Sequence, residues 1–371
     1  MRRLKVAVVW LALLPTVAFS QTEPTPEPPA QPETGPTPQN QSKPGADKPE
    51  SKTCEYIHGP FLRLLEDWRK TCGHALCGQV VAADPARVKK SEKPCDAETW
   101  LTLKDDMRSA ILGGGAVLFG EVHDNPAHHD LRSRAGMSNF PAAVMEQISS
   151  DQAPAVEAFL SANATKLNDK SLEEFKSAIG WEKSGWGQYK YDPLLRAVLL
   201  GRSQIYAGDV ARDIIKKVAK DGAEVVPLEE RQRLKLDMAL GEKLDSASAA
   251  EIEESHCGML PKEILPNMAF AQRYRDAAIA DAVLKAEEKY HSAVLFAGNG
   301  HLRNDRGVPW YLRQRSPDKP VLSIMLVEVE DGKTDAAAYV PKDPDGKPAA
   351  DFIIFTPRAE REDPCKGMEK K

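Results

Sequence analysis

The stretch Ala116–His129, AVLFGEVHDNPAHH, decides the fold of this chain. Its first four residues are all apolar, which predicts a short buried strand. Gly120 then lets the backbone turn, and Glu121 and His123 follow where the strand ends. Ligands of open α/β sheets bind outside the carboxyl ends of the strands. This carboxylate and this imidazole are therefore candidates for a functional site.

The second half of the same stretch predicts the start of a helix. Asn125 is a capping residue and Pro126 stands at the first helical position, which together form a helix-start signal. His128 and His129 then fall in the first turn of this helix. The segment is thus expected to bring two further imidazoles near the end of the strand.

Three other polar residues follow apolar runs in the same way. Glu146, Asp209 and His301 each come after a segment that predicts a strand. The predicted strands are, in the same order, Ala142–Met145, Ile205–Ala207 and Ala293–Ala297. Because parallel strands end at one edge of a sheet, we expect these side chains to converge with Glu121 and His123.

The predicted cluster suits two kinds of chemistry. Carboxylates and imidazoles together bind divalent metals, and the predicted ligands are Glu121, His123, Glu146 and His301. The same residues suit hydrolysis, with His123 or His301 as general base and a carboxylate that fixes its tautomer. Each residue alone is equally well interpreted as a helix cap or part of an ion pair, but four coincidences favour a site.

The alternation of predicted strands and helices indicates an α/β fold, with a mostly parallel central sheet covered by helices on both faces. This domain is expected to span residues 96–358. Val321–Val327 predicts another strong strand, and Ala336–Val340 and Phe352–Phe355 predict edge strands. The charged, helix-prone stretch Glu230–Lys262 predicts a helical excursion.

The N-terminal end of the chain predicts export. Residues 1–20 have the basic start, apolar core and small-residue cleavage site of a signal peptide. No cysteine follows that site, so we expect a protein of the periplasm or cell envelope without a lipid anchor. Residues 21–52 contain nine prolines and predict a disordered linker. Residues 359–371 are expected to form a C-terminal tail.

The net charge of −5 gives no support to nucleic-acid binding.

The six cysteines fit an oxidising compartment. Four of them lie in residues 53–95, a cysteine-rich helical segment, and suggest two local disulfides of undetermined connectivity. Cys257–Cys365 is then the remaining pair. A metal site that includes Cys72 and Cys77 is the alternative. The same segment has an apolar helical stripe made of Phe61, Leu62, Leu64, Leu65 and Trp68.

An aromatic cluster lies in Gly180–Asp192, GWEKSGWGQYKYD. Its glycines argue against a core helix and favour a mobile aromatic flap over a flat ligand, with ordinary loop anchoring as the alternative. Phenolates and imidazoles are both known axial ligands of haem iron. If the flat ligand is haem, Tyr191 or Tyr189 is the preferred axial ligand, and His128 or His129 is the competitor.

Six motifs occur in order along the main domain. They are LFGEVHDNPAHH at 118–129, VMEQ at 144–147, GWGQYKYDPLL at 185–195, HCGMLP at 256–261, AQRYRDAAIAD at 271–281 and LFAGNGHLRNDRGVPWYL at 295–312. Together they resemble the ChaN-like haem-binding (lipo)protein family of the Tiki/TraB/erythromycin-esterase superfamily. The resemblance implies haem binding at the cell envelope, connected with haem or iron uptake. It also implies that the positions matching Glu121, His123, Glu146 and His301 serve hydrolysis in catalytic members, some with a metal.

Two functions follow as hypotheses. The first is a haem-binding protein rather than an enzyme, with the porphyrin over the carboxyl-end edge of the sheet and packed on Trp186. Its propionates are expected on Arg132, Arg134 or Arg303, and a homodimer formed on haem binding and an outer-membrane haem receptor are the expected partners. The alternative is a hydrolase, either metal-dependent or metal-free. An envelope scaffold with a vestigial site is the plainest interpretation.

Overall fold

The computed structural model describes residues 59–89, 98–134, 140–363 and 365–366. The predicted signal peptide over residues 1–20 and the predicted linker over residues 21–52 lie outside these ranges. None of the described helices is long and apolar enough to cross a membrane.

The described residues form one seven-stranded sheet. Its strands are β1 (Val80–Ala82), β2 (Ala116–Phe119), β3 (Ala142–Ser149), β4 (Gln204–Asp209), β5 (Ala293–Phe296), β6 (Val321–Glu328) and β7 (Phe352–Thr356). Their order across the sheet is β1-β7-β6-β2-β5-β3-β4. Every neighbouring pair is parallel except β1 and β7. The predicted α/β fold with a mostly parallel sheet is therefore confirmed.

Helices cover both faces of this sheet. They are α1 (Pro60–Thr71), α2 (Glu98–Leu112), α3 (Pro126–Arg134), α4 (Ala153–Asn163), α5 (Ser171–Ala178), α6 (Asp192–Leu200), α7 (Arg212–Asp221), α8 (Leu228–Arg233), α9 (Glu242–Ser255), α10 (Leu265–Tyr290) and α11 (Val308–Arg315). Along β2, Val117 and Phe119 pack into the core on one face, and Ala116 and Leu118 pack into the core on the other. Burial on both faces explains why the strands are continuous apolar runs in the sequence.

Three strand predictions need correction. The predicted edge strand Phe352–Phe355 forms β7, which is an interior strand because it pairs with both β1 and β6. The sequence predicts a strand that ends at Met145, but β3 continues to Ser149 and shifts its register against β4 between these residues. Glu146 therefore lies inside an irregular part of the strand. The edge strand predicted over Ala336–Val340 is wrong, because Ala336–Tyr339 is a 3-10 helix whose first turn is capped by the side chain of Asp335.

The cysteine-rich segment contributes a strand that the sequence analysis does not foresee. All five residues of the predicted apolar stripe on α1 are buried. A disulfide joins Cys72 to Cys77 after α1, which removes both thiolates from the alternative metal site. The chain then forms β1, the antiparallel edge of the sheet. Cys54 and Cys95 lie outside the described residues.

The described part of the C-terminal tail is attached to the carboxyl-end edge of the sheet. The predicted disulfide between Cys257 and Cys365 is present. Arg361 makes two hydrogen bonds to Asp124, in the loop after β2, and two to Glu328, the last residue of β6. These charge-assisted contacts hold the tail beside the candidate site.

Candidate functional site

Polar residues from neighbouring strands meet at the carboxyl-end edge of the sheet. Glu121 follows β2, Gly298 follows β5 and Glu146 lies in β3, and these three strands are adjacent. The backbone N–H of Gly298 donates a 2.6 Å hydrogen bond to Oε2 of Glu146. We call Glu121, His123, Glu146 and His301 the rim cluster.

Glu121 is the buried centre of one half of the rim cluster. Its Oε1 accepts hydrogen bonds from the amide of Gln147 at 2.8 Å and from the hydroxyl of Tyr191 at 2.5 Å, and lies 2.8 Å from Nδ1 of His123. Its other oxygen pairs with the guanidinium of Arg132, which is also fully buried. Because an ionised carboxylate cannot be buried without compensation, Arg132 supplies the charge that allows Glu121 to occupy this position.

His123 is the exposed member of the rim cluster. Its side chain is 36% exposed, and its ring packs on Trp186 with the ring centroids 4.9 Å apart. Burial of the rest of the ring lowers the pKa of His123, so the imidazole is neutral at pH 7. With Nδ1–H donated to Glu121, Nε2 carries the lone pair and lies 3.9 Å from Oε1 of Glu146. This nitrogen is available as a base or a ligand.

Glu146 is the buried centre of the second half of the rim cluster. Oε1 accepts a 2.7 Å hydrogen bond from Arg275, and the same guanidinium also binds Asp209 at the end of β4. Burial alone would raise the pKa of Glu146, but the charges of His301 and Arg275 hold it well below its usual range. Glu146 is therefore ionised throughout the neutral range.

His301 lies between two carboxylates. Its Nδ1 is 2.6 Å from Asp276 and its Nε2 is 3.2 Å from Glu146. Burial opposes the charge on the imidazole, but Glu146 and Asp276 outweigh it and raise the pKa of His301 to about 10. At pH 7 this residue is an imidazolium. It therefore cannot accept a proton, and of the two predicted general bases only His123 is in the required state.

His128 does not face the rim cluster. The ring is buried, Nδ1 accepts a 2.8 Å hydrogen bond from the backbone N–H of Val122, and Nε2 lies 2.7 Å from the hydroxyl of Thr356. Burial lowers the pKa of His128 to about 3. Both ring nitrogens are engaged, so the role that the structure gives this residue is to fasten the loop after β2 to β7.

His129 and Tyr191 form a buried stack behind Glu121. Their ring centroids are 4.0 Å apart, and Nδ1 of His129 donates to the carbonyl of Lys190 at 2.9 Å. Burial raises the pKa of Tyr191, whose hydroxyl donates to Glu121. In this conformation neither ring reaches the surface.

Trp186 and Tyr189 are the half-buried aromatic residues of the predicted flap. Trp186 contacts His123, and its ring centroid is 6.1 Å from that of Tyr189. Within the part of the chain that the structure describes, the hydroxyl of Tyr189 makes no hydrogen bond. Together with His123, these two rings form the accessible surface of the site, which we call the aromatic platform.

The three arginines predicted for propionates are engaged elsewhere. Arg132 is buried against Glu121, Arg134 pairs with Asp130 on α3, and Arg303 binds Asp305 through two nitrogens. None of them extends a free guanidinium over the aromatic platform in this conformation.

The structure offers little support for the predicted metal site. Across residues 59–89, 98–134, 140–363 and 365–366, no three His, Cys, Asp or Glu side chains are arranged to hold a metal ion. The physical reason is that Arg132 and Arg275 neutralise the carboxylates of Glu121 and Glu146. The guanidinium groups of Arg132 and Arg275 thus supply the positive charge that a bound metal ion would otherwise supply to these carboxylates.

Sequence reasoning missed three residues that hold the rim cluster in place. Arg275 and Asp276 come from α10, which lies far from β2 and β3 in the sequence but crosses the sheet at their ends. Gln147 follows Glu146 inside the irregular part of β3. Arg275 and Asp276 were detectable in principle, since they interrupt the apolar face of a long helix inside one of the six motifs.

The family model described as haem-binding uptake, Tiki superfamily, ChaN matches residues 108–312, which include the whole rim cluster. No curated protein matches the sequence. Among solved structures, the chain is similar to ChaN of Campylobacter jejuni, described as showing cofacial haem binding. That match has 18% identity and a TM-score of 0.49, and covers 67% of this chain and 90% of the other.

The chain is also similar in structure to the erythromycin esterase EreC in its open conformation. Identity is 14% and the TM-score is 0.31, over 78% of this chain and 86% of the other. A third similar structure is the type III effector HopBA1, with 10% identity and a TM-score of 0.34, over 74% of this chain and 100% of the other.

Proposed function

Because the chain belongs to the haem-binding uptake family of the Tiki superfamily, ChaN, we propose that it binds haem on the aromatic platform of His123, Trp186 and Tyr189. The observation that carries this proposal is the match of the family model across residues 108–312, a range that contains all three residues. Haem would supply a flat apolar ring, an iron that takes axial ligands, and two carboxylates.

The residues of the platform fit this group. Trp186 and His123 offer rings at the surface, and the hydroxyl of Tyr189 has no hydrogen bond to any described residue. A phenolate is a known axial ligand of haem iron. We therefore favour Tyr189 as the axial ligand, with Nε2 of His123 as the competitor.

The other predicted haem residues support the platform from behind. Tyr191 would have to release Glu121 before its oxygen could bind iron, and burial raises its pKa and so disfavours the phenolate. His128 and His129 are buried and hydrogen-bonded. We assign to these three residues the role of holding the loop and His123 in place.

We further propose that the protein acts outside the cytoplasm, in the periplasm or cell envelope, in connection with haem or iron uptake. The signal-peptide pattern of residues 1–20 and the disulfides Cys72–Cys77 and Cys257–Cys365 support export. A porphyrin on an open platform leaves one face uncovered, so a second copy of the chain is the expected cover. An outer-membrane haem receptor remains the proposed partner in uptake.

The test is a haem titration followed by absorbance at the Soret band, with one variant for each candidate ligand. We expect Tyr189→Phe to change the spectrum and weaken binding, and Tyr191→Phe to retain the spectrum of the wild type. Tyr206→Phe, a half-buried tyrosine of β4, is the matched control. If Tyr191→Phe alone loses the ferric spectrum, the loop must open on binding and Tyr191 is the ligand. If light scattering gives the monomer molar mass for both the free and the haem-loaded protein, the dimer is excluded.

One observation favours hydrolysis as a second candidate function. His123 is neutral, its Nδ1–H is oriented by Glu121, and Nε2 lies beside Glu146 and over Gly298. This is the arrangement of a general base whose tautomer is fixed by a carboxylate. Hydrolysis would be supported if the haem-free protein turns over an ester and His123→Gln loses this turnover. Absence of turnover with a panel of esters in a protein that binds haem would count against it.

A further inference from the structure

Three exposed cations border the aromatic loop Gly180–Tyr191. Lys183 and Lys190 belong to the loop, and Arg212 is the first residue of α7, just after β4. A Cβ atom built on Gly185 would lie 3.5 Å from Nη1 of Arg212, so this guanidinium is in van der Waals reach of the loop. Gly185 directly precedes Trp186 of the aromatic platform.

None of these cations has an ion pair with any residue that the structure describes. The nearby carboxylates Asp192, Glu173 and Glu182 lie within 3.1 to 3.9 Å of Lys176. Lys183, Lys190 and Arg212 take no part in these pairs.

The carboxylates around Arg212 do not pair with it. Asp209, at the end of β4, is taken by Arg275. Asp213 follows Arg212 on α7, but consecutive helical residues do not face each other. The guanidinium of Arg212 is thus free to bind an anion that approaches along the loop.

The position of Arg212 suits a carboxylate at the periphery of a ligand that covers the aromatic platform, of which His123 is a member. The ring of His123 lies over Gly298 at the end of β5, and Arg212 follows β4, which is two places away in the order β5-β3-β4. Neighbouring strands are about 4.8 Å apart, so the lateral separation is roughly 10 Å. A porphyrin that covers His123 is large enough for its propionates to reach across this separation.

We propose that Arg212, together with Lys183 and Lys190, forms the subsite that binds the haem propionates. The assignment rests on the proposed haem function and replaces Arg132, Arg134 and Arg303, which are engaged by Glu121, Asp130 and Asp305. A guanidinium can bind a carboxylate through two nitrogens, and the two lysines add charge without fixed geometry.

The experiment compares haem with its dimethyl ester, which has the same ring and iron but no carboxylates. Each ligand is titrated into wild type, Arg212→Gln and the triple variant Lys183→Gln/Lys190→Gln/Arg212→Gln. Lys217→Gln is the matched control, because Lys217 is an exposed lysine on the same helix. For exposed ion pairs we expect about a two- to fivefold loss of haem affinity for each charge removed. Affinity for the dimethyl ester should stay within error.

Each outcome is decisive. A selective loss of haem affinity in Arg212→Gln, larger in the triple variant and absent in Lys217→Gln, supports the subsite. Haem binding by the triple variant with wild-type affinity overturns the subsite and leaves the haem function standing. An equal loss for haem and its ester also overturns it, since the residues then act on the ring. If wild type binds neither ligand, the proposed function and the subsite both fail.

Discussion

Nδ1 of His123 lies 2.8 Å from Oε1 of Glu121, and this contact links the exposed surface of the site to its buried interior. Glu121 is held in turn by Arg132 and by the hydroxyl of Tyr191. An exposed imidazole is thus oriented by a carboxylate whose charge is compensated from behind. The following predictions test this arrangement and its surroundings.

Glu121→Ala should destabilise the fold strongly, because it leaves Arg132 buried without a counter-charge. Removal of one partner of a buried ion pair costs about 3–5 kcal/mol. Arg134→Ala is the control, since its pair with Asp130 is exposed and worth at most about 1 kcal/mol. Urea denaturation of both variants gives the loss of unfolding free energy. Similar losses in the two variants would contradict a stabilising buried pair between Glu121 and Arg132.

Gly298→Ala should disturb His123 and little else. The backbone of Gly298, with φ −64° and ψ 150°, suits alanine, but the added Cβ would lie 2.8 Å from Cε1 and Nε2 of His123. The ring must therefore shift, at a cost in stability of about 1–3 kcal/mol. We expect weaker haem binding, measured by titration.

The control for this variant is Gly300→Ala, two residues further along. A Cβ at Gly300 meets no atom within 4 Å, so this substitution should leave haem affinity unchanged. Equal haem affinities for Gly298→Ala and the wild type would show that the position of His123 does not matter for binding.

His301 should make stability depend on pH in the alkaline range. Its pKa is raised to about 10 in the folded protein, against about 6.5 in the unfolded chain. The stabilisation is therefore fully present below about pH 6.5 and is lost as the pH rises through about 10. The difference in unfolding free energy between wild type and His301→Gln should be large at pH 6 and small at pH 10. A difference that stays constant across this range would contradict the charged state of His301.

The two described disulfides should contribute unequally to stability. Cys257 and Cys365 are 108 residues apart in sequence, whereas Cys72 and Cys77 are 5 apart. Loop entropy then predicts a loss of about 4.8 kcal/mol for Cys257→Ser/Cys365→Ser and about 2 kcal/mol for Cys72→Ser/Cys77→Ser. Guanidinium denaturation of the two double variants gives the comparison, and the reverse ranking would be the contrary result.

The sequence was sufficient to predict the strand-end residues of the site. An apolar run followed by a glycine and a polar residue predicts a buried strand and the side chain at its end, which is how Glu121 and His301 were found. Glu146 directly follows an apolar run without a glycine. Its position inside β3 could not be predicted, because the register shift in that strand cannot be deduced from one sequence.

The roles of the remaining site residues could not be predicted from the sequence, because these roles are set by tertiary contacts. His128 and His129 are consecutive, and one helical step of about 100° directs the first to Thr356 of β7 and the second to Tyr191. Arg275 reaches Glu146 only because α10 crosses the sheet at the end of β3. No local pattern distinguishes these roles.

The measurement that tests the central claim most directly is a stoichiometric haem titration of the protein that spans residues 53–371, with Tyr189→Phe and Tyr206→Phe measured in parallel. The account predicts saturable binding with a ferric Soret spectrum in the wild type and in Tyr206→Phe, and weaker binding with an altered spectrum in Tyr189→Phe. Absence of saturable binding in the wild type would contradict it, and the esterase assays on His123→Gln would then decide the function of the rim cluster.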